Sequence, residues 1–475
     1  MYKCVVFFCN FTTYSDISGL WLAVFGKEQP QVLFGILGTI SGICGMREPW
    51  SQSAVKAAPS PAPAPAAAAA VASFDSVTQV PPDPVFFVSQ QYNACTAAIK
   101  MNLGVGAYRT NDGKPLVLSV VKKAEQMVVN KLQNDTFNIE YLPIDGLPAF
   151  RAETVKLILG KDSKAIKEGR VACCQSLSGT GALRLAAEFI AANLGTDRTV
   201  HISNPTWGNH KAIFAKAGLP VVQYRYFKAE TKGLDFDGMM ADLEKVKPGD
   251  IVLLHGCAHN PTGVDPTMHQ WQKIAVAVKK AKALPFFDCA YQGYASGDLD
   301  TDAASVRYFE TQGIEMMVAQ SYSKNFGLYG ERIGALSVTT NDGPAVAKAI
   351  QSQLKMIVRP MYSNPPSNGA RIVAQVLSDP ALYAEWVAEL KGMSGRIIEM
   401  RKKLREGLEK LKPDMDWSFI TTQIGMFAYT GLSVGQVGRL TKEFNIFMLS
   451  SGRISMAGVS SGTVQYLAES IAKVV

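Results

Sequence analysis

The stretch QSYSKNFGLYGERIG, residues 320–334, places one lysine, Lys324, among hydroxyl and small side chains, with Arg332 eight positions later. An amine held near cations and apolar groups is easier to keep neutral, and a neutral amine attacks carbonyls. Ser321, Ser323 and Arg332 around it suit a phosphate. The turn Ser178-Gly179-Thr180-Gly181 joins a strand-like run to a helix-like one. Free N–H groups and the positive end of a helix dipole make such a turn an anion cradle; an ordinary strand–helix connection has the same composition. Asp288 ends the apolar run PFFD, with Tyr291 three residues on. A carboxylate there requires a cation, supplied by a ligand or by a structural ion pair, unless it serves as a helix N-cap.

The run LLHGCAHNPTGVDP carries His255, His259, Asn260 and Gly263. Two histidines four apart form a metal face on a helix. Pro261 and the strand before it favour instead a turn that presents the Asn260 amide, so no metal is expected. SNPTWGNH sets Trp207 and His210 in a Pro/Gly loop, where the tryptophan either packs as core or stacks on a flat ring. An attacking lysine, a phosphate cradle and a carboxylate for a ring nitrogen are together the equipment for pyridoxal 5′-phosphate.

Those residues need a scaffold that brings strand ends together. The chain has 475 residues, 47% of them hydrophobic, enough for two or three domains with large cores. Runs such as GRVACCQS, RTVHIS, DIVLLHG, LPFFDCAY, EMMVAQSY and RIGALSVT alternate with helical stretches such as SVVKKAEQMVVNKLQ and MHQWQKIAVAVKKAKA. Strands apolar on both faces and separated by helices predict an α/β fold with a mainly parallel sheet covered on both sides. Ligands in such folds collect at the carboxyl ends of strands. From about residue 370 the pattern turns helical, which predicts a second, smaller domain.

The net charge is +8 with the basic residues scattered, so nucleic-acid binding is not expected, and arginines receiving small anions are. The eight cysteines show no metal or disulfide spacing. Cys173 and Cys174 read as small core residues in a reducing compartment or organelle matrix. The first 74 residues differ from the rest. They hold two apolar runs, 17–26 and 32–46, then the Pro/Ala stretch 58–73. Residues 1–81 are expected to be a targeting leader and linker. A membrane anchor, or a start upstream of the natural one at Met46, are the alternatives.

NLGVGAYR (102–109), EYLPIDGL (140–147), SLSGTGALR (176–184), NPTWGNH (204–210), HNPTGVDP (259–266), SYSKNFGLYGERIGA (321–335), VRPMYSNPP (358–366) and SGRISMAG (451–458) occur in order. Together they resemble the aspartate aminotransferases of the class I pyridoxal-phosphate-dependent family, in particular the eukaryotic mitochondrial type. The resemblance covers about 82–475. It implies fold type I and a homodimer, with a large domain at 116–392 and a small one from 82–115 and 393–475. It implies that Lys324 carries the cofactor, that Asp288 keeps the ring nitrogen protonated with His210 behind it, and that Trp207 stacks on the ring. Tyr291 and Asn260 would bond the ring oxygen. Ser178, Gly179, Thr180, Ser321 and Arg332 would hold the phosphate, with Tyr141 from the other subunit. Arg453, near Gly106 and Asn260, would clamp the substrate α-carboxylate, and Arg359 of the other subunit the side-chain carboxylate. The implied activity is ping-pong exchange between L-aspartate and 2-oxoglutarate, in the mitochondrial matrix, or alternatively in a plastid or the cytosol.

Other readings are an aminotransferase for aromatic or kynurenine-like amino acids, which Arg359 argues against, and a protein that reuses the fold without turnover. A dinucleotide-dependent dehydrogenase lacks its GxGxxG turn.

Overall fold

The computed structural model describes residues 74–475, so residues 1–73 of the expected leader, with its apolar runs at 17–26 and 32–46 and the Pro/Ala stretch at 58–73, lie outside the described residues. The chain divides at Gln79 and Val80 into two units. Of the first, residues 74–79 are described: a bend closed by Val77 N–H donating to Phe74 O at 2.9 Å.

Val80–Val475 is built around a seven-stranded sheet in the order 171–177, 333–339, 316–321, 284–289, 251–255, 200–204, 221–225. Ile333–Thr339 is antiparallel to both of its neighbours, and the remaining pairs are parallel, so six strands run one way and one against. The strands 251–255, 316–321 and 333–339 are buried at every position. That is why their sequences read as unbroken apolar runs rather than alternating ones.

The helices form where the sequence has both a stripe and a start. Met268–Ala281 opens on a capping box made by Thr267 and Gln270, and it buries Trp271, Ile274, Ala275 and Val278 at helical spacing. Ser178–Asn193 starts directly after the strand Val171–Leu177. Pro344–Tyr362 was not singled out from sequence. It has a proline in its first turn and another, Pro360, in its last, and its inward stripe is Ala347, Leu354 and Val358, with Ile350 and Ile357 partly buried beside them.

Two small sheets join distant parts of the chain. Met101–Asn102 pairs in parallel with Ile446–Phe447, and Phe427–Tyr429 pairs antiparallel with Arg453–Ser455. We propose, with that pairing as support, that 82–115 and 393–475 form the smaller lobe and 116–392 the larger. The 32-residue helix Pro380–Leu411 passes between the two proposed lobes.

Trp386 on that helix is fully buried, stacks on Phe326 at 4.4 Å between centroids, and donates from Nε1 to Asn325 O at 2.8 Å. It thereby braces the two residues that follow Lys324. Trp386→Ala should cost about 3–5 kcal/mol of stability, read as a lower denaturant midpoint. An unchanged midpoint would remove Trp386 from this bracing role.

Candidate active site

The strand register places the chemistry. His255 pairs with Asp288, Asp288 with Ala319, Gly334 with Ser321 and Ile333 with Leu177. The parallel strands therefore end at His255, Asp288, Ser321 and Leu177 on one side of the sheet. The reversed strand begins there too, which brings Arg332 to the same side. Ser178, Gly179, Thr180, Trp207, Asn260, Asp288, Tyr291, Ser321, Lys324 and Arg332 line one cavity of about 250 Å³. A larger hollow of about 1250 Å³ opens beside Glu153 and Arg307. Several of its charges are paired, with Lys156 on Glu153 and Arg307 on Asp300. Size therefore does not choose the site; the convergence of Lys324, Asp288, Arg332 and three serine hydroxyls at the strand ends does.

Lys324 faces the cavity 4.9 Å above the Tyr291 ring centroid. Burial pushes its amine down to about 8; Asp288 pulls it up, while Arg332 and Arg453 push it further down. Asp288 is also buried, which alone would raise its pKa. The hydrogen bond from His210, with the positive Lys324 nearby, outweighs that and holds it below the usual carboxylate range. Burial pushes the Tyr291 phenol up.

A one-way chain of hydrogen bonds ends on Asp288. The Asn260 backbone N–H donates to His255 Nδ1 at 3.3 Å, which makes that nitrogen an acceptor. Burial first, and then the neighbouring His210, pull the His255 pKa down to about 3, so its ring is neutral with the proton on Nε2. His255 Nε2 then donates to Thr206 Oγ1 at 3.1 Å, and Thr206 to His210 Nδ1 at 2.8 Å. His210 Nε2 donates to Asp288 Oδ2 at 3.1 Å. Asp288 is left as a pure acceptor, able to hold a proton on a facing ring nitrogen. His255 ends its strand and His259 lies in the loop that follows, so the pair is not on a helix. His259 bonds Ser203 and Thr262, both at 2.8 Å. Among the described residues no group of three or more potential metal ligands is present.

At the other end of the cavity Ser178 Oγ lies 3.0 Å from Ser321 Oγ and 2.9 Å from Ser323 Oγ. Arg332 Nη1 donates to Ser323 Oγ at 3.4 Å and to Tyr329 O at 2.9 Å, and among the described residues no carboxylate pairs with it. Backbone approaches closely here: a Cβ on Gly334 would stand 2.5 Å from the Ser178 carbonyl carbon. Three hydroxyls, a helix N-terminus and an uncompensated guanidinium fit a phosphate dianion. With Asp288 at a ring nitrogen and Lys324 between the two ends, the residues present fit pyridoxal phosphate.

Arg453 adjoins the cavity through Asn260. It donates from Nη1 to Asn260 Oδ1 at 3.2 Å and from Nη2 to Gly104 O at 2.5 Å, and lies 4.1 Å over the Phe427 ring. Among the described residues its Nε has no partner. Gly106 gives Phe427 room, since a Cβ there would come 2.8 Å from the ring. Two expected residues stand apart from this cavity. Tyr141 is 81% exposed, and Arg359 is exposed with Nη1 on Ser363 Oγ at 2.7 Å. Thr206 and Tyr329 were missed from sequence. Tyr329 lines the cavity and accepts the Tyr108 N–H at 2.9 Å. Its place in GLYGER, between Lys324 and Arg332, was the available signal; for Thr206 it was the spacing of four to His210.

In cofactor-free protein, modification of Lys324 by an amine reagent should rise through one ionisation near pH 8 and then level off. Removing the Asp288 charge with Asp288→Asn should move that ionisation to lower pH, because the lost anion had favoured the ammonium. A midpoint near that of a free lysine would refute the desolvated amine.

The chain's likeness to known proteins agrees with this geometry. The family model "Aminotransferase class I and II" matches residues 98–471. A cytoplasmic aspartate aminotransferase from Oryza sativa is 53% identical over 84% of this chain and 97% of its own. The mitochondrial aspartate aminotransferase of Gallus gallus is 50% identical over 83% of this chain and 92% of its own. The crystal structure of an aromatic-amino-acid aminotransferase from Burkholderia pseudomallei, covalently bound to pyridoxal phosphate, superposes with a TM-score of 0.81 at 45% identity, covering 84% of this chain and 99% of that one. Since the match spans every element that lines the cavity, the chain belongs to the class I and II aminotransferases.

Proposed function

We propose that this protein is an aspartate aminotransferase, moving the amino group reversibly from L-aspartate to 2-oxoglutarate in two half-reactions on pyridoxal 5′-phosphate. The observation that carries the reading is the desolvated Lys324 amine set between an acceptor-only carboxylate, Asp288, and two guanidiniums, Arg332 and Arg453, without carboxylate partners among the described residues. When bound, the cofactor supplies a carbonyl to take the amino group and a protonated ring to accept the electrons released at Cα.

The chain's own residues do the rest. Ser178, Ser321, Arg332 and the N–H groups of Gly179 and Thr180 hold the phosphate. Asp288 keeps the ring-nitrogen proton, His210 keeps Asp288 ionised, and Trp207 covers the ring face. Tyr291 and the Asn260 side chain reach the ring oxygen. Arg453 takes the substrate α-carboxylate with a two-pronged, charge-assisted grip. Lys324, as a neutral amine, would take the Cα proton at Nζ and hold it for return. Both clamps serve in each half-reaction, because both substrates are dicarboxylates.

We further propose that two chains share two sites. The exposure of Tyr141 and Arg359 is what a role in a neighbouring subunit requires: Tyr141 on the phosphate, Arg359 on the side-chain carboxylate. Arg359→Leu should lower kcat/KM for aspartate about a hundredfold, the scale of a buried charge left unpaired, and leave neutral or aromatic amino acids nearly unaffected. Equal losses for both classes would overturn the Arg359 assignment. In the holoenzyme, L-aspartate should shift the cofactor's visible band to shorter wavelength and 2-oxoglutarate should restore it; a band indifferent to aspartate would reject this substrate.

The cytoplasmic and mitochondrial relatives are almost equally similar, so the address rests on the leader, which we assign to mitochondrial import. A fluorescent protein fused behind residues 1–81 should enter mitochondria; plastid or diffuse cytosolic signal would replace that address.

A further inference from the structure

Tyr141 and Arg359 belong to different segments, yet one buried knot ties those segments together. Asp145, four residues after Tyr141, is 3% exposed. Its Oδ2 lies 3.1 Å from Lys355 Nζ, 3.2 Å from Arg151 Nη1 and 3.0 Å from Gln351 Nε2. Lys355 stands one helical turn before Arg359 on Pro344–Tyr362, and Gln351 one turn before Lys355. Gln351 also clasps the edge strand, accepting from Cys173 N at 2.8 Å and donating to Cys173 O at 2.9 Å. The fully buried Gln175, two residues along that strand, repeats the pattern. Its N–H donates to Asp145 O at 2.9 Å, its Oε1 accepts from Leu147 N at 3.0 Å, and its Nε2 donates to Pro366 O at 2.8 Å. Gly146 permits this approach: its φ is +92°, and a Cβ there would stand 2.2 Å from the Gln175 Cβ. None of these groups touches the cavity, and the chemistry does not use them.

We propose that Asp145, with Gln175 behind it, is a positioning residue that fixes the Tyr141 loop and the Arg359 helix as one unit, and so sets substrate selectivity in the other subunit's site. A buried carboxylate shared by two cations and an amide is costly to break, which makes it a rigid spacer between the two segments. The proposal rests on the reading that Tyr141 and Arg359 act across the dimer.

The test uses hybrid holoenzyme dimers, purified with two different tags. The Asp145→Asn homodimer should lose about tenfold to a hundredfold in kcat/KM for aspartate, the scale of a misplaced binding group, and much less for alanine. In a hybrid of Asp145→Asn with Lys324→Ala, the only working lysine lies on the Asp145→Asn chain, whose site receives Tyr141 and Arg359 from a chain with Asp145 intact. That site should recover the parent preference for aspartate. The control pairs Arg359→Leu with Lys324→Ala. If the control recovers and the Asp145→Asn hybrid does not, Asp145 acts within its own chain and the inference is overturned. If the control itself fails, the shared-site reading is wrong, and the inference falls with it. Should Asp145→Asn not fold, Lys355→Met removes one arm of the same knot at a half-exposed side chain and is read by the same criterion. Homodimers that keep the parent preference would also overturn the proposal.

Discussion

The structure depends on keeping positive charge in a cavity without neutralising it. Lys324, Arg332 and Arg453 all act on this site, and among the described residues the only carboxylate lining it is Asp288. Two unit charges 4 Å apart interact by about 4 kcal/mol at an effective dielectric near 20. That is a sizeable part of the roughly 5–15 kcal/mol by which a domain is stable. The fold answers with neutral acceptors. Arg332 rests on a hydroxyl and a carbonyl, and Arg453 on an amide oxygen, a carbonyl and an aromatic face. Burial then turns the remaining repulsion to use by lowering the Lys324 pKa.

The sheet makes that arrangement possible. One reversed strand, Ile333–Thr339, sits between two strands of the common direction. Its start therefore meets their ends, and Arg332 arrives where Ser178 and Ser321 already are. With all strands parallel, the residue preceding that strand would lie on the far side of the sheet. The same ends carry His255 and Asp288 in register, which is what allows Thr206 and His210 to bridge them.

Much of this was legible in the sequence, and the reason is local. Lys324, Arg332, Ser178 and Asp288 each sit in a short stretch whose residue types are odd for a surface and costly for a core. The doubly buried strands announced themselves as apolar runs. Other parts could not be read that way. Thr206 is an ordinary hydroxyl until His210 and His255 stand on either side of it. Asp145 looks like a turn residue until helix Pro344–Tyr362, some two hundred positions later, supplies Gln351 and Lys355. The joining of residues 101–102 to 446–447 likewise depends on contacts that no window of sequence contains.

This chain satisfies its cations in two ways. Some away from the cavity meet carboxylates: buried Asp145 takes Lys355 and Arg151, and Asp242 takes the exposed Arg225. Where a ligand anion must be received, the partners are neutral. Arg401 extends the rule beneath the site. It is 3% exposed and donates to Ile420 O and Gly425 O, both at 2.9 Å, and also to Phe427 O. Those carbonyls hold the segment that presents the Phe427 ring to Arg453. A carboxylate in their place would have neutralised the Arg401 charge. Carbonyl dipoles satisfy the guanidinium and leave the net positive potential in place.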